Sequence, residues 1–262
     1  MLKSKFWNQL ILFVIVLLAT LMGKQYIIKL LMQKEIVSYE IHTLLNIGSN
    51  LLIVLVSILL IRKNELSEIA GIKNTKLKKK YFLIFPVVYL VLLNVLLMDE
   101  INRELLVLNI ILFVIYSLSI GFAEEFSIRG FLQSHLIKHF GSKKKGIIMS
   151  VLISSLFFGL LHTIKFDKGI YGELSQVGYA TFIGIMFGML LVMTRRIYPL
   201  IIIHAIVDFV GDFDTIGVSM KNRTINSVSF EDAILITLLV LPCLLYGIFM
   251  MKKYQFQVIE WN

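Results

Sequence analysis

The stretch "LLVLNIILFVIYSLSIGFAEEFSIRGF" (residues 105–131) joins an apolar run to two adjacent glutamates. Residues 105–123 contain no charged side chain, and a helix needs about 20 apolar residues to cross a bilayer. Glu124 and Glu125 follow at once, and Arg129 comes four residues after Glu125. Ionisable groups inside a membrane span cost free energy and are candidates for function. The stretch therefore predicts a membrane helix that carries part of a functional site.

The rest of the chain has the composition of a membrane protein. Of its 262 residues, 58% are hydrophobic and 16% are charged, and the mean hydropathy is +0.84. Soluble domains average about 45–50% apolar and about 25% charged residues. The formal net charge of +9 would suggest nucleic acid in a soluble protein, but here the bases lie in short segments between apolar runs. We therefore expect a lipid bilayer around the protein and no nucleic-acid partner.

Eight apolar segments predict an all-α fold, a polytopic membrane helical bundle of about eight transmembrane helices in a single domain over 1–262. Spans should be helical because lipid offers no partner to free backbone groups. The seventh is the shortest. The predicted spans are 6–23, 43–61, 81–98, 105–123, 146–163, 174–194, 197–210 and 233–251.

The distribution of bases predicts the orientation of the bundle. With the N-terminus in the cytoplasm, most of the 26 lysines and arginines fall in cytoplasmic segments, above all in residues 62–80. We expect a multi-pass protein of the cell membrane with both termini in the cytoplasm. Lys24 and Lys29 fit this orientation only if they snorkel or if the first span is longer and tilted.

Three of the predicted helices carry polar residues spaced four apart. Glu125 and Arg129 can pair on one helix face, which turns Glu124 about 100° away, towards another partner. If the three helices faced one another, their polar edges would form a cavity within the membrane. The same spacing recurs in "FGLLH", with Phe158 and His162, and in "HAIVD", with His204 and Asp208.

One carboxylate and two imidazoles are suited to proton transfer. Glu124 with His162 could activate a water molecule, while His204 and Asp208 could orient it or stabilise an oxyanion. The same side chains could instead hold a divalent metal, since zinc is bound by histidine and carboxylate. A proton-coupled transporter also carries intramembrane acids and histidines, but the inverted repeats and broken helices typical of that class are not clear in this sequence.

In this order and spacing the motifs resemble those of the CAAX-prenyl-endopeptidase and bacteriocin-immunity family of intramembrane proteases, also called the CPBP or Abi family. The resemblance covers about 120–210, within a motif-bearing core predicted at about 105–210. It implies an endopeptidase that acts on a membrane-associated peptide or protein. The pattern EExxxR is matched by Glu124, Glu125 and Arg129, FxxxH by Phe158 and His162, and HxxxN/D by His204 and Asp208.

The resemblance also implies a role for each catalytic position. Glu124 and His162 would activate the water, and His204 with the residue at 208 would support the oxyanion. Eukaryotic members have Asn at the last position, whereas bacterial members use either residue. An ionised Asp208 would repel an oxyanion, so it must be protonated there or orient His204 instead. We expect Glu125, Arg129 and Phe158 to give structural support.

A bacterial member would act on peptide precursors, in bacteriocin self-immunity or in the processing of membrane-bound signals. Some members act as scaffolds without needing catalysis, which leaves a non-catalytic membrane regulator as the alternative function. The choice between these functions depends on whether the motif residues meet in space.

Helix length limits how the site can assemble. At about 1.5 Å per residue, His162 lies roughly 24 Å from an entry near residue 146. Glu124 reaches a similar depth only if the fourth helix continues to His139. We therefore predict a long helix or a kinked pair across 105–139, with a break near residues 117–121. His204 is only about 10 Å from residue 197, so its helix should be tilted.

Overall fold

The computed structural model describes residues 2–73, 76–98, 106–141, 143–222 and 227–254, and within these ranges the chain forms helices and no strand. Residue 105, where the fourth predicted span begins, lies outside the described residues. The α-helices are α1 (Leu2–Gln33), α2 (Tyr39–Lys63), α3 (Ile84–Leu97), α4 (Val107–Glu124), α5 (Ser134–Phe140), α6 (Lys144–Leu161), α7 (Gly169–Thr194), α8 (Tyr198–Gly211) and α9 (Phe230–Lys253). A π-helix, Glu125–Gln133, joins α4 to α5.

Seven helical segments in the described ranges are long and apolar enough to cross a membrane. One of them, Val107–Phe140, combines α4, the π-helix and α5. The helix α8 has 14 residues, or about 21 Å, which is short of a hydrocarbon core of about 30 Å. The predicted all-α polytopic bundle is confirmed, and its seventh predicted span is a short helix rather than a full crossing.

The fourth span continues past residue 123, as predicted. The helix is unbroken from α4 into the π-helix, so the predicted break near residues 117–121 is wrong. The hydroxyl of Ser117 donates to the carbonyl of Phe113 at 3.0 Å, which satisfies this polar side chain within the helix. The irregularity lies instead in the π-helix, a rare form that occurs mostly at functional sites.

A glycine brings α4 and α8 together. A Cβ atom at Gly121 would lie 2.6 Å from the carbonyl oxygen of Ile201 and 3.3 Å from the backbone nitrogen of Ala205. The two backbones can approach this closely only because Gly121 has no side chain. Gly121 is three residues before Glu124, and Ala205 follows His204, so this contact fixes the distance between the two candidate catalytic groups.

The depth of His204 follows from where α8 begins. A Cβ atom at Gly130 would lie 3.3 Å from Cδ1 of Ile197, the residue before α8. Ile197 is fully buried and packs beside the π-helix, so α8 begins inside the bundle rather than at its end. His204 therefore reaches the level of Glu124 because its helix starts deep, and no tilt of α8 is needed to explain the contact.

The connecting segments meet at the two ends of the bundle as the alternating topology requires. The first helix is longer than predicted and continues to Gln33, so Lys24 and Lys29 belong to it. At the end predicted to be cytoplasmic, hydrogen bonds join Lys78 N to Thr194 O, Ile197 N to Gly71 O and Lys138 Nζ to Asn64 O. At the other end they join Met220 N to Val37 O and Val228 N to Lys168 O.

The helix α7 is the centre of the bundle. In its most apolar stretch 61% of residues are buried, against 11% in α1. It packs against α6 on one side and α9 on the other, and it also contacts the π-helix. The Gly188 carbonyl accepts a hydrogen bond from Nε2 of the buried Gln133 at 3.0 Å. The π-helix is thus anchored to the most buried element of the fold.

Candidate active site

The imidazole of His204 lies between two carboxylates. Its Nδ1 donates a hydrogen bond to Oε1 of Glu125 at 2.8 Å, and its Nε2 lies 3.2 Å from Oε2 of Glu124. Glu124 ends α4, Glu125 begins the π-helix, and His204 lies in the middle of α8. Both glutamates therefore face α8, although the sequence predicted that Glu125 would turn away from Glu124.

Glu125 belongs to a second, fully buried pair. Its Oε1 lies 3.0 Å from Nη1 of Arg129, and their side chains are 0% and 1% exposed. The predicted pairing of these residues is confirmed, but the same carboxylate oxygen also holds His204. A buried ion pair is destabilised severely when one partner is lost, because the other charge remains without compensation. Arg129 and Glu125 are thus bound to each other, and through Glu125 to His204.

Two aromatic rings surround the buried guanidinium. Cζ of Arg129 lies 4.7 Å from the ring centroid of Phe158 and 5.6 Å from that of Phe187, which are cation–π distances. Phe187 also contacts His204, with ring centroids 5.6 Å apart at an angle of 66°. Phe158 therefore contacts Arg129, the partner expected of a supporting residue. Phe187 is in no motif, and nothing in the apolar sequence of α7 distinguished it.

His162 ends α6 and is oriented by its own helix. Its Nδ1 lies 2.9 Å from the carbonyl oxygen of Phe158. A carbonyl can only accept, so Nδ1 carries the proton and Nε2 is left as an acceptor. His162 interacts electrostatically with Glu124, but no direct ion pair or hydrogen bond joins them in the described ranges. Two polar groups at such a separation can share a water molecule.

Asp208 lies one turn after His204 on α8. Its Oδ2 is 3.7 Å from Nε2 of His204, which is an ion-pair distance but too long for a hydrogen bond. Asp208 and Glu124 therefore approach the same nitrogen of His204 from two different helices. This geometry favours an orienting role for Asp208, the second of the two roles left open by the sequence.

The cluster has a buried side and an accessible side. The side chains of Glu124 and Asp208 are 32% and 24% exposed, that of His204 is 12% exposed, and that of Glu125 is fully buried. His162 is partly exposed as well. A substrate could therefore reach Glu124, His162 and Asp208, while Glu125 and Arg129 lie behind His204.

The cluster does not form a metal-binding group. In the part of the chain that the structure describes, no three His, Cys, Asp or Glu side chains are arranged to hold a metal ion. The geometry thus supplies no ligand set for the metal alternative raised by the sequence, and it leaves the carboxylates and imidazoles in contact with one another instead.

Comparison with known proteins gives one match. The family model "Type II CAAX prenyl endopeptidase Rce1-like" matches residues 106–210, a range that contains the three motifs and every residue of the cluster described above. No curated protein and no solved structure matches the chain. Over residues 106–210 the chain therefore belongs to the Rce1-like family of type II CAAX prenyl endopeptidases, the protease family that its motifs resemble.

Proposed function

We propose that the protein is an intramembrane endopeptidase that hydrolyses a peptide bond of a membrane-associated peptide or protein by means of a water molecule activated by Glu124 and His162. The observation that carries the proposal is the contact of 3.2 Å between Glu124 and His204, made across two helices inside an apolar bundle. Intramembrane acids and histidines cost free energy, and their convergence on one partly exposed point favours chemistry over packing. The family match supports peptidase activity in general.

Glu124 is the proposed general base. Its carboxylate would take a proton from a water molecule held between it and Nε2 of His162, which is free to accept the second hydrogen of that water. The hydroxide would attack the carbonyl carbon of the scissile bond. Glu124 would then return the proton to the nitrogen that leaves, so that one water is consumed and no net proton is gained or lost.

His204 is the proposed oxyanion donor. Glu125 fixes its ring through Nδ1, so Nε2 faces the accessible side of the cluster. A ring that donates from both nitrogens is positively charged and would stabilise the negative oxygen of the tetrahedral intermediate. Asp208 is proposed to hold the ring in this orientation from the same helix. Arg129, Phe158 and Phe187 would then act through Glu125 and His204 and are positioning residues.

The proposed setting is the cell membrane, with both termini in the cytoplasm, which the distribution of bases supports. Substrates would be peptide precursors, in bacteriocin self-immunity or in the processing of peptide signals. In this orientation α6 runs outward from Lys144, and His162 lies about 27 Å along it. The reacting groups would then be deep in the bilayer, and a substrate would have to enter from the membrane.

The proposal can be tested in vesicles that contain the purified full-length chain and candidate membrane peptides. Mass spectrometry of the peptides should find new termini with the wild type and none with His162→Ala. Thermal unfolding of the variant shows whether it is folded. Cleavage by folded His162→Ala at the wild-type rate would remove His162 from the mechanism, and persistence of the cellular role without any cleavage would favour a non-catalytic regulator.

A further inference from the structure

The first turn of α6 carries an unusual concentration of positive charge. Lys144 and Lys145 are the first two residues of the helix, and Lys143 precedes them as the N-cap residue. The N-cap makes no side-chain hydrogen bond to the helix. The first N–H groups of a helix have no partner within it, and this end of the helix dipole is positive. Lysines are therefore placed where the helix itself favours an anion.

The two lysines border a shallow concavity on the outside of the bundle. Its volume is about 460 Å³, and it is lined by Lys144, Lys145, Ile148, Met149 and Leu152. Ile148, Met149 and Leu152 follow Lys145 at intervals of three, four and seven residues, which places them on one helix face. Met149 and Leu152 are 40% and 43% exposed. A cationic head thus continues into an apolar strip along α6.

Neither lysine is neutralised by the protein. In the described ranges, no carboxylate lies within ion-pair distance of the ammonium group of Lys144 or Lys145. The positive charge of this turn therefore has no counterpart within the described part of the chain. A ligand that matches the concavity must have a negative group at the lysines and an apolar portion beneath it.

We propose that this face of α6 binds one phospholipid with an anionic headgroup. The headgroup phosphate would contact Lys144 and Lys145 and the free N–H groups of the first turn. One acyl chain would lie along Ile148, Met149 and Leu152. From Lys145 to Leu152 the helix rises about 10 Å, which is the upper third of a leaflet-spanning hydrocarbon core of about 30 Å. Basic clusters at the end of a membrane helix attract anionic lipid, at about 1 kcal/mol per lysine.

A soluble anion would use the lysines but not the apolar strip, and a general surface charge would involve other lysines equally. Lys252 and Lys253 in the last turn of α9 provide the comparison. Cations are favourable at that end of a helix, and Nζ of Lys253 lies 5.0 Å from the ring centroid of Phe249. The lysines of α9 are therefore accounted for by their own helix, whereas those of α6 are not.

Native mass spectrometry of the detergent-solubilised full chain tests the proposal with phosphatidylglycerol and phosphatidylcholine as probes. The wild type should bind phosphatidylglycerol about 10- to 30-fold more tightly than phosphatidylcholine, and Lys144→Gln with Lys145→Gln should abolish that preference. Lys252→Gln with Lys253→Gln, the matched control, should change it less than about threefold. Arginine at 144 and 145 should retain binding, which separates loss of charge from misfolding.

Three results would overturn the proposal. Equal losses with the α6 and α9 lysine pairs would indicate diffuse surface charge. Equal affinity for the two lipids would show that the lysines do not select the headgroup. Displacement of phosphatidylglycerol by glycerol phosphate at similar concentration would show a site for a soluble anion. The measurement does not depend on peptidase activity, so it stands or falls separately from the proposed function.

Discussion

Glu125 accepts a hydrogen bond from His204 at 2.8 Å with the same oxygen that lies 3.0 Å from Arg129. This oxygen connects the π-helix to α8 and connects a buried cation to the candidate oxyanion donor. The contact explains why the family motif has two glutamates. The first glutamate is accessible, and the second holds the histidine that the first one faces.

Replacement of Glu125 by glutamine should destabilise the fold. The variant leaves the buried charge of Arg129 without compensation, which costs about 3–5 kcal/mol when a buried pair is broken. Chemical unfolding in detergent should show this loss, whereas Glu65→Gln, at a side chain that is 89% exposed, should change stability by less than about 0.5 kcal/mol. A cost below about 1 kcal/mol for Glu125→Gln would mean that Arg129 is not paired as described.

Phe187→Leu should reduce activity more than its packing loss alone explains. The leucine keeps an apolar side chain but removes the ring that contacts both Arg129 and His204. We expect cleavage to fall about tenfold in kcat with KM little changed, since misplacement of a positioned group can cost up to about 100-fold. The matched control is Phe131→Leu, because Phe131 is equally buried and packs on Phe13 instead.

If both phenylalanine variants lose stability equally and neither changes kcat, Phe187 is part of the core only. A kcat effect confined to Phe187→Leu would support its role in positioning the histidine. Thermal unfolding of both variants separates the two effects, because the loss of buried area is similar in each.

Gly121→Ala should separate α4 from α8. The added methyl group would lie 2.6 Å from the carbonyl oxygen of Ile201, a backbone atom that cannot move without the helix. Overpacking of this kind costs about 1–3 kcal/mol. Gly23→Ala on α1, where nothing lies within 4 Å, should be neutral or slightly stabilising when thermal unfolding is measured. Equal melting temperatures for the two variants would contradict the close approach.

Asp208→Asn and Asp208→Ala distinguish orientation from charge. If Asp208 only orients His204, the amide should keep cleavage within about threefold of the wild type, because Asn can still accept a hydrogen bond. The alanine variant should lower the rate about 10- to 100-fold through misplacement of the ring. A loss with Asn as large as the loss with Ala would show that the carboxylate itself is required.

The sequence predicted those features that depend on one helix. The pairing of Glu125 with Arg129 and the continuation of the fourth helix past residue 123 follow from spacing and length alone, and both are confirmed. Each needs only the rise and the turn of a helix. The all-α polytopic fold followed in the same way, from apolar segment lengths.

The features that the sequence did not predict depend on contacts between helices. The contact of Glu125 with His204 joins residues 79 positions apart, and the contact of Phe187 with Arg129 joins α7 to the π-helix. Spacing within a helix gives the direction of a side chain and says nothing about which neighbour it meets. The depth of α8 was also missed, because it is set by the packing of Ile197 beside Gly130.

The most direct test of the central claim is the rate of peptide cleavage by Glu124→Gln in vesicles, relative to the wild type and to the control Glu65→Gln. Glutamine keeps the shape of Glu124 but cannot take a proton from water, and a general base contributes about 100- to 10,000-fold. The account predicts that the rate falls at least about 100-fold for Glu124→Gln and stays unchanged for Glu65→Gln. Cleavage by folded Glu124→Gln at the wild-type rate would contradict it.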